Sequence, residues 1–133
     1  MKNLLLTVIL CGSLSTSLAA NYPCARITNA NNGGLIVTSD PDWDDQIVII
    51  DGKEVPGFKK YLTTSQSVFI CGLWSEFGIS FYDAGGRYAR FTVSNADSSL
   101  TNLIDVYPDD GRFRYQIDKQ TSDDIFVSIL GIN

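Results

Sequence analysis

The sequence predicts an all-β fold, a small β-sandwich or a small barrel, closed by one disulfide. Three observations carry this expectation. Short runs rich in β-branched and aromatic residues recur along the chain. Turn-forming clusters of Gly, Asp, Asn and Pro separate them. Two cysteines, Cys24 and Cys71, remain once an N-terminal leader is set aside.

The leader comes first. Met1-Lys2-Asn3 is a short region with one positive charge, and Leu4 to Cys11 is a compact apolar run. Gly12 to Ala20 is small and polar, and Ser17-Leu18-Ala19-Ala20 offers small residues for cleavage. Residues 1–20 thus read as a signal peptide and residues 21–133 as a single secreted β domain. The apolar run is far shorter than the ~20 residues of a spanning helix, which disfavours a membrane anchor. Val8-Ile9-Leu10 before Cys11 is too bulky for a lipoprotein acceptor site. No later stretch is long and apolar enough to span a bilayer, so no membrane insertion is expected.

After the leader the pattern is β nearly throughout. Gly34 to Thr38 is a β-branched run that follows the turn-rich Asn29 to Gly33. Gln46 to Ile50 is apolar after its first residue, as expected of a strand buried on both sides. Asp51-Gly52 signals a tight turn directly after it. Ser67 to Cys71 is a further strand. Ile79 to Tyr82 and Tyr88 to Val93 flank a turn, with Ala89, Phe91 and Val93 expected inward and Tyr88, Arg90 and Thr92 outward. Leu103 to Tyr107 and Arg112 to Asp118 flank Pro108-Asp109-Asp110-Gly111 and predict a third hairpin. Ile125, Val127 and Ile129 give a last strand. Ser94 to Leu103 has room for one helical turn. Six to nine strands are expected in all. The hairpin Val48 to Val55 resembles those of immunoglobulin-like modules in envelope proteins, which implies an immunoglobulin-like sandwich.

Charge and residue inventory narrow the function. The chain has 10 basic and 15 acidic residues, a net charge of −5. Loss of residues 1–20 removes Lys2 and leaves a net charge of −6. Phosphate contacts need clustered Lys and Arg, so no nucleic-acid partner is expected. Histidine is absent. That excludes Ser-His-Asp and Cys-His catalysis and histidine-ligated zinc. A Cys24–Cys71 disulfide, the default for an even pair in an oxidising compartment, removes the thiol nucleophile too. Paired carboxylates, or a Ser-Lys or Tyr-centred site, remain for catalysis; the chain leans away from enzymes, with a small carboxylate-based hydrolase as the catalytic alternative.

Two constellations are candidate sites. Ser39 to Gln46 holds Asp40, Asp42 and Asp44 at alternate positions, with Asp51 eleven residues after the first. Converging carboxylate oxygens suit calcium, so these four acids are candidate ligands of a calcium-stabilised β module. They resemble the first half of an EF-hand loop, but Asp45 stands where that loop has its turn glycine, and Asp51 where it has a bidentate Glu. The other reading is a solvated loop in which Asp and Pro set turns. Beyond calcium no cofactor is expected. The second constellation comprises Trp74, in the link Gly72 to Gly78, and an Arg/Tyr patch. Arg90, Arg112 and Arg114 would share one patch with Tyr82 and Tyr88 if their strands are neighbours. Arg, Tyr and Trp are favoured at interfaces.

The resulting expectation is a secreted or periplasmic, non-enzymatic binding protein of microbial effector, inhibitor or envelope-accessory type. Its partner would be a protein or a glycan.

Overall fold

The computed structural model describes residues 22–40, 42, 47–96 and 99–133. Residues 1–20, expected to be a signal peptide, and Trp43, Asp44 and Asp45 lie outside this set.

Eleven strands are formed among the described residues: β1 Cys24–Asn29, β2 Leu35–Ser39, β3 Ile47–Ile50, β4 Lys53–Pro56, β5 Lys59–Leu62, β6 Ser67–Gly72, β7 Glu76–Asp83, β8 Tyr88–Ser94, β9 Asn102–Tyr107, β10 Phe113–Gln120 and β11 Asp124–Ile132. They build a six-stranded sheet, β10-β11-β1-β6-β3-β4, and a five-stranded sheet, β5-β2-β7-β8-β9. Of the two architectures expected, the sandwich is the one formed. Within the six-stranded sheet β1 runs parallel to β11 and antiparallel to β6.

Alternation builds the core. Ala25 and Ile27 of β1, Leu35 and Val37 of β2, Ile79 and Phe81 of β7, and Ile125, Val127 and Ile129 of β11 are all buried, every second residue turning inward. Ala89, Phe91 and Val93 do the same on β8, as their spacing requires. Three phenylalanines meet between the sheets. The ring centroids of Phe81 and Phe91 are 4.9 Å apart, and Phe113 lies 5.6 Å from Phe81 and 6.3 Å from Phe91. Full burial of one such side chain contributes about 1.5–3 kcal/mol.

The disulfide joins Cys24 and Cys71, directly opposite one another on the neighbouring strands β1 and β6, with Cα atoms 4.0 Å apart. In antibody domains the corresponding bridge crosses between sheets. A buried polar residue closes the end of β1. The Asn29 side-chain amide donates to the Gly33 carbonyl at 2.8 Å and to the Leu62 carbonyl at 3.0 Å, while its oxygen accepts from the Asn31 amide at 3.0 Å. One side chain thereby ties the β1–β2 turn to the end of β5.

Four expectations are corrected. The third hairpin does not form: β9 joins the five-stranded sheet beside β8, and β10 joins the six-stranded sheet beside β11. The Pro108–Gly111 turn reverses the chain, but Phe113 is drawn into the core and takes β10 across to the other sheet. β3 is not buried on both faces, since only Val48 of its four residues is fully covered. No helical turn occurs among the described residues of Ser94 to Leu103; Ser94 ends β8 and Asn102 opens β9. Last, the described residues form eleven strands, two more than the upper end of the six to nine expected, with the short β5 among the additions.

Candidate binding face

Register on the solvent side of the five-stranded sheet sets a grid of polar and aromatic side chains. Tyr61, Ile36, Tyr82 and Tyr88 are cross-strand neighbours in sequence from β5 to β8. The next row runs Lys59, Thr38, Ser80, Arg90 and Tyr107. These positions share a face because their partners one residue away, such as Val37, Phe81 and Ala89, point into the core.

The aromatic rings form a continuous string. Tyr82 and Tyr88 have centroids 5.2 Å apart, and Tyr88 and Tyr107 lie 6.2 Å apart, both pairs tilted. The Ser80 and Tyr88 hydroxyls are 3.1 Å apart. Burial raises the Tyr88 pKa above its usual 10.0; the Ser80 hydrogen bond pulls it down and the Asp40 charge pushes it up. Tyr88 therefore keeps its proton at any physiological pH.

Arg90 is the hub of the charged part. Its Nη1 donates to Asp42 Oδ2 at 2.9 Å and lies 3.9 Å from Asp40 Oδ2. Its Nη2 is 4.0 Å from Asp105 Oδ2, and its guanidinium carbon sits 5.7 Å from the Tyr107 ring centre. Asp40 is 2% exposed and structural: its amide donates to the Gly78 carbonyl, and its Oδ1 accepts from the Asp42 amide at 2.9 Å. That last bond is an Asx turn, which aims Asp42 at Arg90. Asp42, Tyr88, Arg90 and Tyr107 line a shallow hollow of about 320 Å³.

The sequence-predicted residues divide. Asp40 and Asp42 do converge, and the group they share is the Arg90 guanidinium. Asp51 sits in the β3–β4 turn of the other sheet, and Asp44 lies outside the described residues. Among the described residues no three acidic, cysteine or histidine groups come together as a metal site would require. The single Arg/Tyr patch is corrected: Arg90 does meet Tyr82 and Tyr88 on one face, but Arg112 and Arg114 belong to the β10 side of the other sheet. Arg112 Nε pairs with Asp110 Oδ2 at 2.8 Å, and backbone and side-chain donors of Arg112 hold the Asp110 carboxyl below its usual range. Arg114 lies across Gly131, its Nη2 3.5 Å from the Leu130 carbonyl. Trp74 stands in the β6–β7 link, 67% exposed, so it is no plug for the end of the sandwich; Phe77, three residues on, is in the core. Sequence reasoning missed Tyr107, Asp105 and Ser80. Alternation in Leu103 to Tyr107 marks a strand, but only the β8–β9 register puts Tyr107 and Asp105 beside Arg90.

The fold and this face define the molecule as a two-sheet all-β sandwich with a Tyr/Arg/Asp surface on one side. No family model matches the chain, and no curated protein matches it. Among solved structures it is similar to the RahU protein, crystallised in complex with a TRIS molecule. That likeness has a TM-score of 0.51 at 14% identity and covers 86% of this chain and 97% of that one. At this identity it speaks for the shared sandwich alone.

Proposed function

We propose that the chain is a secreted or periplasmic, non-enzymatic binding protein that engages a protein or glycan through the outer face of the five-stranded sheet. The observation that carries this reading is the grouping of Tyr82, Tyr88 and Tyr107 with the Asp42–Arg90 pair on one face. Tyrosine rings offer large contact area with a polar tip, and they lose little entropy on binding. Arg90 is fixed before any partner arrives, held by three carboxylates and the Tyr107 ring. Such preorganisation lowers the cost of association. The disulfide suits an oxidising compartment, and no helix among the described residues is long and apolar enough to cross a membrane.

The test takes the disulfide-bonded protein against a glycan panel and against protein extracts of the compartment into which it is exported. With the partner in hand, Tyr107→Ala and Arg90→Ala should each weaken binding by about 2 kcal/mol or more if they are central contacts. Tyr107 is half exposed, so its variant should keep the parent melting temperature. Full affinity in both variants removes this face from consideration. Turnover of a sugar or peptide substrate, lost in a carboxylate variant, would replace the binding reading with the hydrolase.

A further inference from the structure

The six-stranded sheet has its own solvent side, on the opposite surface of the sandwich from Arg90. There the register places Arg26 of β1 between Phe69 of β6 and Phe126 of β11. The guanidinium carbon lies 5.4 Å from the Phe69 ring centre and 5.2 Å from that of Phe126. Phe126 also meets a second cation: Lys119, opposite it on β10, has its Nζ 5.1 Å from the ring centre. The row Phe69, Arg26, Phe126, Lys119 thus crosses four adjacent strands. With strands ~4.8 Å apart, the two cations rise from backbone positions about 10 Å apart.

Neither cation has an acidic partner among the described residues. Every ion pair among the described residues is made by Arg87, Arg90 or Arg112. The neighbouring acids are engaged elsewhere. Asp118 accepts from the Gln116 side-chain amide at 2.9 Å and from the Ser128 hydroxyl at 2.5 Å, and Asp124 accepts from the Thr121 hydroxyl at 2.7 Å. The Phe69 and Phe126 rings flank the Arg26 guanidinium, which donates to no acceptor among the described residues. Arginine is the side chain suited to a bidentate grip on a carboxylate, and here it stands between two aromatic rings on the exposed face.

We infer that the Phe69–Arg26–Phe126–Lys119 row is a docking surface for a protein partner that presents two carboxylates about 10 Å apart on an extended segment, with Arg26 as the anchor. Charge complementarity selects the occupant. A polyanion would meet only two cations on a chain of net charge −5 and would be repelled by the rest of the molecule. Two separate carboxylates on an otherwise neutral segment meet the row without that penalty. In a polyproline-II segment, with three residues per turn and a rise of about 3.1 Å, side chains three residues apart share one face about 9 Å apart, so Glu-x-x-Glu is the matching pattern.

The experiment uses the full disulfide-bonded protein and two blocked, dye-labelled peptides of Ser and Leu, one carrying Glu-Leu-Ser-Glu and the other Gln-Leu-Ser-Gln. Fluorescence anisotropy should show the Glu peptide binding about tenfold tighter than the Gln peptide, the size of one good charge-assisted hydrogen-bond pair. Arg26→Gln should erase that difference. Arg26→Lys should recover only part of it, and Lys119→Gln should weaken the Glu peptide alone. Melting temperatures verify that each variant is folded; should Arg26→Gln unfold, Lys119→Gln decides. Equal binding of the two peptides overturns the inference, as does an Arg26→Gln or Lys119→Gln variant that binds the Glu peptide like the parent. Heparin captured through Arg26 while the Glu peptide is ignored would also overturn it, in favour of a polyanion.

Discussion

Single residues in this sandwich are constrained by what they touch across strands. Gly72 ends β6 where a Cβ would fall 2.6 Å from Cδ1 and 3.0 Å from Cβ of Phe77. Phe77 is a core residue and its Cβ cannot swing aside, so Gly72→Ala should cost about 1–3 kcal/mol in urea unfolding. Gly34 provides the contrast. A Cβ there would strike the Tyr61 hydroxyl, the far end of an exposed edge-strand side chain. Gly34→Ala should therefore cost less than Gly72→Ala in the same assay. At Asn29, removal of the amide would leave the Gly33 and Leu62 carbonyls without their donor. Asn29→Ala is expected to lose about 2–3 kcal/mol. Tyr88 sets a pH dependence. Its folded pKa is raised above 10.0, so the folded state holds the phenol proton more tightly than the unfolded chain. That stabilisation is complete below pH 10 and falls as pH rises from 10 through the folded pKa. Alkaline melting curves should show a smaller loss across this range in Tyr88→Phe than in the parent.

Elements were legible where local pattern and tertiary placement agree. The alternation in Tyr88 to Val93 gave β8 and its inward face correctly, and the apolar spacing in Ile125 to Ile129 did the same for β11. The Asp51-Gly52 signal also held: both residues have positive φ, 52° and 77°, and close the β3–β4 hairpin. Asp51 thus has a turn role in this structure. Asp51→Asn should leave stability nearly unchanged, since Asn tolerates this region, whereas Gly52→Ala should cost about 1 kcal/mol. β5 escaped notice because Lys59-Lys60-Tyr61-Leu62 is an edge strand with a single buried side chain. Edge strands carry lysines as protection against further pairing, and this erases the apolar signal that sequence reading depends on. The Pro108 to Gly111 turn misled for another reason. A turn signal reports a reversal of the chain and is silent on which sheet receives the next strand.

At the scale of the whole molecule, the disulfide couples distant parts of the chain. It closes a loop with a sequence separation of 47, and this loop contains β2 to β5, strands from both sheets. On the chain-entropy account, closing a loop of that length stabilises the fold by about 4 kcal/mol. The Cys24→Ser/Cys71→Ser double variant should lose a large part of that in urea unfolding with an unchanged fold by far-ultraviolet circular dichroism. A loss near zero would mean the unfolded chain is already compact around this loop. The two outer faces differ in kind: one has its arginine saturated by carboxylates, the other has its arginine flanked by rings and open to an acceptor.

The sequence by itself determined the all-β class, the cysteine pair and the inward residues of its clearest strands. These follow from alternation, turn chemistry and cysteine parity, which act over a few residues or depend on composition alone. The tertiary structure alone decided the strand order, the parallel pairing of β1 with β11, and the separation of β9 from β10. It also decided that Asp40 and Asp42 surround Arg90, that Arg112 and Arg114 lie apart from it, and that Arg26 stands between Phe69 and Phe126. The physical reason is that cross-strand neighbours are set by register between segments tens of residues apart, and register is fixed by how both sheets fill one shared core.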